Sequence, residues 1–336
     1  MKKKTLFFTC LLFGGVLFAG VSFYLGLWGG SKDYTKEAPK QKVVSEGGKT
    51  AVPPLAPTPA EPLVNKATTP SVENTLLLNL VVAESDPLGI ATLSPHAAEL
   101  KGSGVKTLAI PEIGSFALYW LPSEKAIDRL MVLLPDKGET AYDEMVAELA
   151  MAKKNGYGLV ALQWHNVTPP VNLTPGEIYR AVSSLSDWLE REEKSTPRVR
   201  VLSGFDRGSV IAYEVLSLDR AARRLFTGSV HHSGGIPVDA VIDPGTSTRP
   251  NAFFVSMIVG QAKSDLYSGL RSYMYCGRQD EVRGAKGCEE MSYAQSLLVK
   301  YGAKVDGFVL SETLGARGLR TDEILRQGLT DWFLKL

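Results

Sequence analysis

The 336-residue chain carries 37 Lys and Arg against 36 Asp and Glu, and 44% of its residues are hydrophobic. A formal net charge of +1 gives no global electrostatic case for nucleic acid or an acidic partner. The composition suits a globular protein of one large or two small domains.

At the N-terminus, Lys2-Lys3-Lys4 precede an uncharged apolar stretch from Thr5 to Trp28. About 24 residues at about 1.5 Å each span a hydrocarbon core of about 30 Å. The stretch outruns the roughly 7–15 apolar residues of a secretory signal, and Ala19–Ser22 makes a poor cleavage site. An uncleaved single-pass anchor (residues 1–28) is therefore favoured over a removed signal. Basic residues ahead of it place the N-terminus in the cytoplasm and the rest outside, in the periplasm if the host is Gram-negative. Residues 29–72, with Val52-Pro53-Pro54-Leu55-Ala56-Pro57, are too proline-rich and too polar to build a core. They read as a disordered, semi-extended linker. Residues 73–104 read as an N-terminal extension whose apolar run, Leu76–Val82, has no clear type.

From Val105 the pattern becomes regular. Val105–Ile110 and Ser115–Leu121 read as a hairpin, and Leu130–Leu134 as a strand buried on both faces. The turn Pro135-Asp136-Lys137-Gly138 leads to an amphipathic helix, Ala141–Asn155, and Gly158–Gln163 is the next strand. A helix from Pro175, a favoured first-turn residue, to Lys194 precedes the strand Val199–Leu202. Strands follow at Leu225–Val230, Ser272–Cys276 and Val305–Leu310, with helices near Glu289–Lys300 and Thr321–Leu336. Ala252–Val259 is a crossover helix or part of a small lid, the helix being the simpler assignment. This order predicts an α/β domain over residues 105–336, a mostly parallel sheet flanked by helices. Functional residues then gather at the carboxyl ends of the strands.

Besides Cys10 in the apolar stretch, the cysteines are Cys276 and Cys288. In an oxidising compartment they can close a disulfide around a polar loop, worth about 3 kcal/mol; the alternative is two free thiols. No histidine lies near them to suggest zinc.

Gly204-Phe205-Asp206-Arg207-Gly208 follows a strand and opens a helix-like stretch, Ser209–Ser217. This is the layout of a nucleophile elbow, G-x-S-x-G, with aspartate at the serine position. Together with the order of elements from Val105 to Leu336, it resembles the α/β-hydrolase fold, with esterases and polyester-depolymerase-like members nearest in character. The resemblance implies a nucleophile after the fifth strand, an acid after the seventh and a histidine after the eighth. Gly277-Arg278-Gln279-Asp280 matches the G-x-x-D of the acid, placing Asp280 in that role. Ala316, or Arg317, stands where the histidine belongs. The oxyanion hole would draw on the backbone N–H of Arg207 and on the turn at Asp136-Lys137.

Asp206 has no hydroxyl to activate and Ala316 accepts no proton, so a serine-hydrolase mechanism is excluded. The expected function is a non-catalytic binding or scaffolding module with a degenerate triad. Its ligand or protein partner lies outside the cytoplasm, and no cofactor or metal is implied. The alternative is an active hydrolase with Asp206 as nucleophile, as in haloalkane dehalogenases and epoxide hydrolases, Asp280 orienting a displaced base such as His232. Without a base, the first half-reaction leaves a dead covalent adduct. His165, His231 and His232 follow strands near the carboxyl edge; they supply a base or binding group, or are satisfied polar groups at strand ends. His96 precedes the core. Ser203, Ser209 and Ser233 are alternative nucleophiles, none at the elbow apex.

Overall fold

Apolar residues at nearly every position of Leu130–Leu134 and Gly158–Leu162 require cover on both sheet faces, which only flanking helices supply. The computed structural model describes residues 77–122, 127–166, 168, 170–236 and 252–336. In chain order these form β1 (Val81–Ala83), β2 (Lys106–Ile110), β3 (Ser115–Trp120), β4 (Arg129–Leu134), α1 (Ala141–Asn155) and β5 (Gly158–Leu162). A small hairpin of β6 (His165–Asn166) and β7 (Val171–Asn172) leads to α2 (Pro175–Glu192) and β8 (Val199–Phe205). Then come α3 (Arg207–Ala221), β9 (Gly228–His232), α4 (Ala252–Ile258), β10 (Arg271–Gly277) and α5 (Gly284–Lys300). The domain ends with β11 (Lys304–Ser311), α6 (Gly318–Thr321) and α7 (Glu323–Leu334). The expected anchor and linker, residues 1–72, lie outside the described residues. Among the described residues no helix is long and apolar enough to cross a membrane.

The main sheet runs β1-β2-β3-β5-β4-β8-β9-β10-β11. Pairing is antiparallel from β1 through β3 to β5. From β5 across to β11 every neighbour is parallel. Side chains alternate between two cores. Leu130, Val132 and Leu134 pack with Ile178 and Leu185 of α2, Leu216 of α3 and Met291 of α5. Met131 and Leu133 pack with Met145 of α1 and Trp332 and Phe333 of α7. The helices start where side chains satisfy their free N–H groups: Thr140 with Asp143, and Thr174 with Glu177 beside Pro175, each form a capping box.

The structure differs from the sequence pattern in several places. The strand expected at Leu225–Val230 is Gly228–His232. The Asp219 carboxylate takes the N–H groups of Leu225 (2.7 Å) and Phe226 (3.1 Å), holding them in the turn after α3. His231 and His232 are consequently the last residues of the strand, not residues beyond it. The helix expected at Thr321–Leu336 is Glu323–Leu334, its start capped by the Asp322 side chain accepting the N–H of Leu325 at 2.9 Å, and a short helix, Gly318–Thr321, precedes it. Residues 77–104 join the domain: β1 extends the sheet, and Leu78 N–H donates to Ser184 Oγ on α2 at 2.8 Å. Ala252–Val259 is helical over Ala252–Ile258, with Phe254 and Met257 buried.

Asp86 does most to fasten this N-terminal segment. Its buried carboxylate accepts the N–H groups of Leu88, Ile90 and Ala91 and the Tyr142 hydroxyl of α1, at 2.8–3.1 Å. Hydrogen bonds to a charged group contribute about 1.5–3 kcal/mol each, and they are not additive. Asp86→Ala is expected to lower unfolding free energy by about 3 kcal/mol, measured by urea denaturation. A loss below about 1 kcal/mol would show that the segment is held elsewhere.

Candidate functional site

Asp206 connects β8 to α3 with φ 43° and ψ −105°, a conformation that side chains rarely adopt. Strain of this kind costs about 1–3 kcal/mol and persists only where its surroundings enforce it. A Cβ on Gly204 would collide with the backbone of Gly208, and one on Gly208 with the carbonyl of Leu134. The glycine spacing in the sequence is thus a packing requirement of a sharp strand-to-helix turn. The turn is closed by Asp206 N–H donating to His232 O at 2.8 Å.

The Asp206 carboxylate faces an arginine. Arg283 Nη2 lies 3.0 Å from Oδ1, but off the hydrogen-bond axis, so this buried oxygen has an ion-pair contact without a directed hydrogen bond. Burial raises the Asp206 pKa, and Arg283 offsets part of the rise. Asp280 lies close by, with Oδ1 accepting the N–H groups of Val282 (2.8 Å) and Arg283 (3.2 Å). It fastens the turn that delivers Arg283. The Cys276–Cys288 disulfide, with Cα atoms 5.4 Å apart, joins the end of β10 to the start of α5 and brackets the same turn. A guanidinium, which offers only hydrogen-bond donors, therefore stands beside the elbow. Arg283 was not singled out by the sequence; its only signal is its place three residues beyond Asp280.

Arg207 N–H donates to Asp136 Oδ1 at 3.3 Å, while Asp136 Oδ2 accepts the N–H of Gly138 at 3.2 Å. The N–H that follows the elbow residue therefore already faces a carboxylate. Lys137, next along this turn, is exposed.

After β11 the chain is tied down by charge. Arg317 Nη2 lies 2.7 Å from Glu139 Oε1, and Arg320 Nη1 lies 2.8 Å from Glu139 Oε2. Arg320 Nη2 pairs with Glu144, and its guanidinium stacks 3.9 Å over the Phe205 ring. Ala316 contributes its carbonyl to Ser233 Oγ at 2.9 Å. Glu139, Glu144 and Arg320 were not distinguished in the sequence, because their pairing spans more than 170 residues.

The histidines take separate places. His231 is fully buried and stacks on Tyr213, ring centroids 4.1 Å apart. Its ring nitrogens meet Ser209 Oγ at 3.3 Å and Ser229 Oγ at 3.1 Å, and burial lowers its pKa to about 3. Ser209 Oγ itself donates to Gly234 O at 2.8 Å, so this is a neutral core network and not a nucleophile with its base. His232 points to the opposite face, against Phe205 and Tyr275, and burial holds its pKa well below the ordinary value. His165 is 7% exposed and its Nδ1 has no hydrogen-bond partner. His96 pairs with Glu99 at the surface. Among the described residues no imidazole hydrogen-bonds Asp206, and no group of three or more His, Cys, Asp and Glu could hold a metal.

An open groove of about 390 Å³ runs beside the elbow. Arg207, Val210, Ile211 and Glu214 share one face of α3 and line it, with Trp164, Pro175 and Phe254 completing the wall. Trp164 is fixed by its Nε1–H, which donates to Pro135 O at 2.7 Å. The volume lies within the roughly 300–1,000 Å³ of small-molecule sites.

Because burial raises the folded-state pKa of Asp206, its charged form costs stability at neutral pH. The cost is relieved as pH falls through the raised value and is gone below the unfolded value of about 3.9. Asp206→Asn is expected to melt at a higher temperature than the parent at pH 7, with the gap closing towards pH 4. A lower melting temperature at pH 7 would show that the Arg283 pair outweighs the burial penalty.

No family model and no curated protein matches the sequence. Solved structures do match the fold. The esterase Est22 is 11% identical with a TM-score of 0.50, covering 74% of this chain and 90% of its own. The bifunctional GH43-CE protein of Bacteroides eggerthii is 12% identical with a TM-score of 0.50, over 66% of this chain and 36% of its own. A carboxylesterase from Mesorhizobium loti is 14% identical with a TM-score of 0.46, over 66% and 95%. With the sheet order, the strained elbow and the flanking helices already described, the likenesses to Est22 and to the Bacteroides eggerthii protein assign the chain to the α/β-hydrolase fold.

Proposed function

We propose that this protein is a membrane-anchored, extracytoplasmic α/β-hydrolase-like module that binds a ligand or partner at its elbow-side cleft without hydrolysing it. The observation that carries the reading is the Arg207 N–H, donated to Asp136 where a hydrolase needs it free. Losing one oxyanion donor costs about 10²–10³ in rate, and an anion fixed at that place also repels the intermediate. Arg283, held by Asp280, supports the same reading, since it pairs with the elbow carboxylate and cannot act as a base. The anchored, exported topology rests on Lys2–Lys4 and the apolar stretch Thr5–Trp28, and the disulfide suits an oxidising compartment.

The purified full chain and Asp206→Ala are to be compared on a broad panel of esters, amides and haloalkanes. Neither is expected to exceed the buffer rate. Robust turnover by the parent that Asp206→Ala abolishes would refute the non-catalytic reading and restore the aspartate-nucleophile alternative.

A further inference from the structure

We propose that the groove along α3 binds a monocarboxylate with an apolar body, its carboxylate held between Arg207 and Lys137 and its alkyl or aryl part lying on Val210, Ile211 and Trp164. This rests on the non-catalytic reading above and names the ligand class of that site.

The charges at the elbow end of the groove decide the sign of the ligand. The carboxylates there already have partners: Asp136 accepts the N–H groups of Arg207 and Gly138, and Asp206 and Glu290 share Arg283. Two further cations do not. Among the described residues no carboxylate oxygen lies within 4.0 Å of the Lys137 or Arg207 side-chain nitrogens. Both side chains are exposed, so a ligand anion reaches them without displacing an existing pair. Arginine presents a planar fork that matches a carboxylate with two parallel hydrogen bonds.

His165 is nearly buried beside this turn. Burial first, then the charges of Lys137 and Arg207, hold its pKa below the ordinary value. The imidazole is consequently neutral and adds no charge of its own.

The rest of the lining sets the body of the ligand. Glu214 sits two helical turns from Arg207, about 10 Å along the axis. Between them the lining is aliphatic and aromatic. At about 30 Å³ for each water-sized group, the groove accommodates roughly a dozen non-hydrogen atoms.

The test uses the full chain in detergent solution and three probes of one shape: 3-phenylpropanoate, 3-phenylpropanamide and 3-phenylpropylammonium, titrated calorimetrically. The carboxylate is expected to bind at least tenfold tighter than the amide, with the ammonium weakest. Arg207→Gln should erase that margin and Arg207→Lys keep most of it, while Ile211→Trp, which fills the groove, should weaken the carboxylate and the amide together. Should a variant fail to fold, the parent protein decides alone. Raising salt from about 50 to about 500 mM should weaken the carboxylate several-fold and leave the amide unchanged. Equal affinities for carboxylate and amide, a margin that survives Arg207→Gln, or a salt-independent carboxylate affinity would overturn the proposal. Ester turnover lost in Asp206→Ala would instead remove the non-catalytic reading, and the carboxylate margin would still be measurable. An absent margin without turnover removes this proposal alone.

Discussion

The strained turn at Asp206 constrains everything around it. Its positive φ is enforced by contact between the backbones of Gly204 and Gly208 and by the approach of Gly208 to the Leu134 carbonyl. Strand, turn and helix must therefore come together as one rigid unit, which sets the 206 carboxylate against Arg283. In a serine enzyme such a turn exposes a neutral hydroxyl. Here it holds a half-buried carboxylate, and a half-buried charge needs a counter-charge.

Arg283 is the counter-charge, and the neighbouring chemistry is organised to deliver it. Asp280 fastens its turn through two backbone N–H groups, and the disulfide brackets that turn from β10 to α5. On the other side, the Arg207 N–H donates to Asp136.

In the loop after β11, Arg317 and Arg320 are drawn to Glu139 and Glu144, and Arg320 lies flat on Phe205, next to Asp206. The ion pairs join the loops after β4 and β11 beneath the turn, on the face of the sheet away from α3.

Strand and helix identities were legible because they follow local patterns: apolar runs at Leu130–Leu134, the Pro175 start, the glycine pair around Asp206. So was the proximity of Asp280 to the elbow, through the order of elements, and the Cys276–Cys288 pair. The start of β9 was displaced because the Asp219 carboxylate claims two backbone groups that the apolar pattern assigned to the strand. His231 and His232 looked equivalent in the chain, but strand alternation sends one into each core. The sequence by itself determined the sheet, the elbow and the absence of a serine at its apex, since propensity, periodicity and residue type are local. Only the tertiary structure decided which charges pair, because Arg283 with Asp206, Asp136 with the Arg207 N–H, and Arg320 with Glu139 and Glu144 are distant in the chain. Their energies depend on separations and burial that exist only once the sheet has brought the loops together.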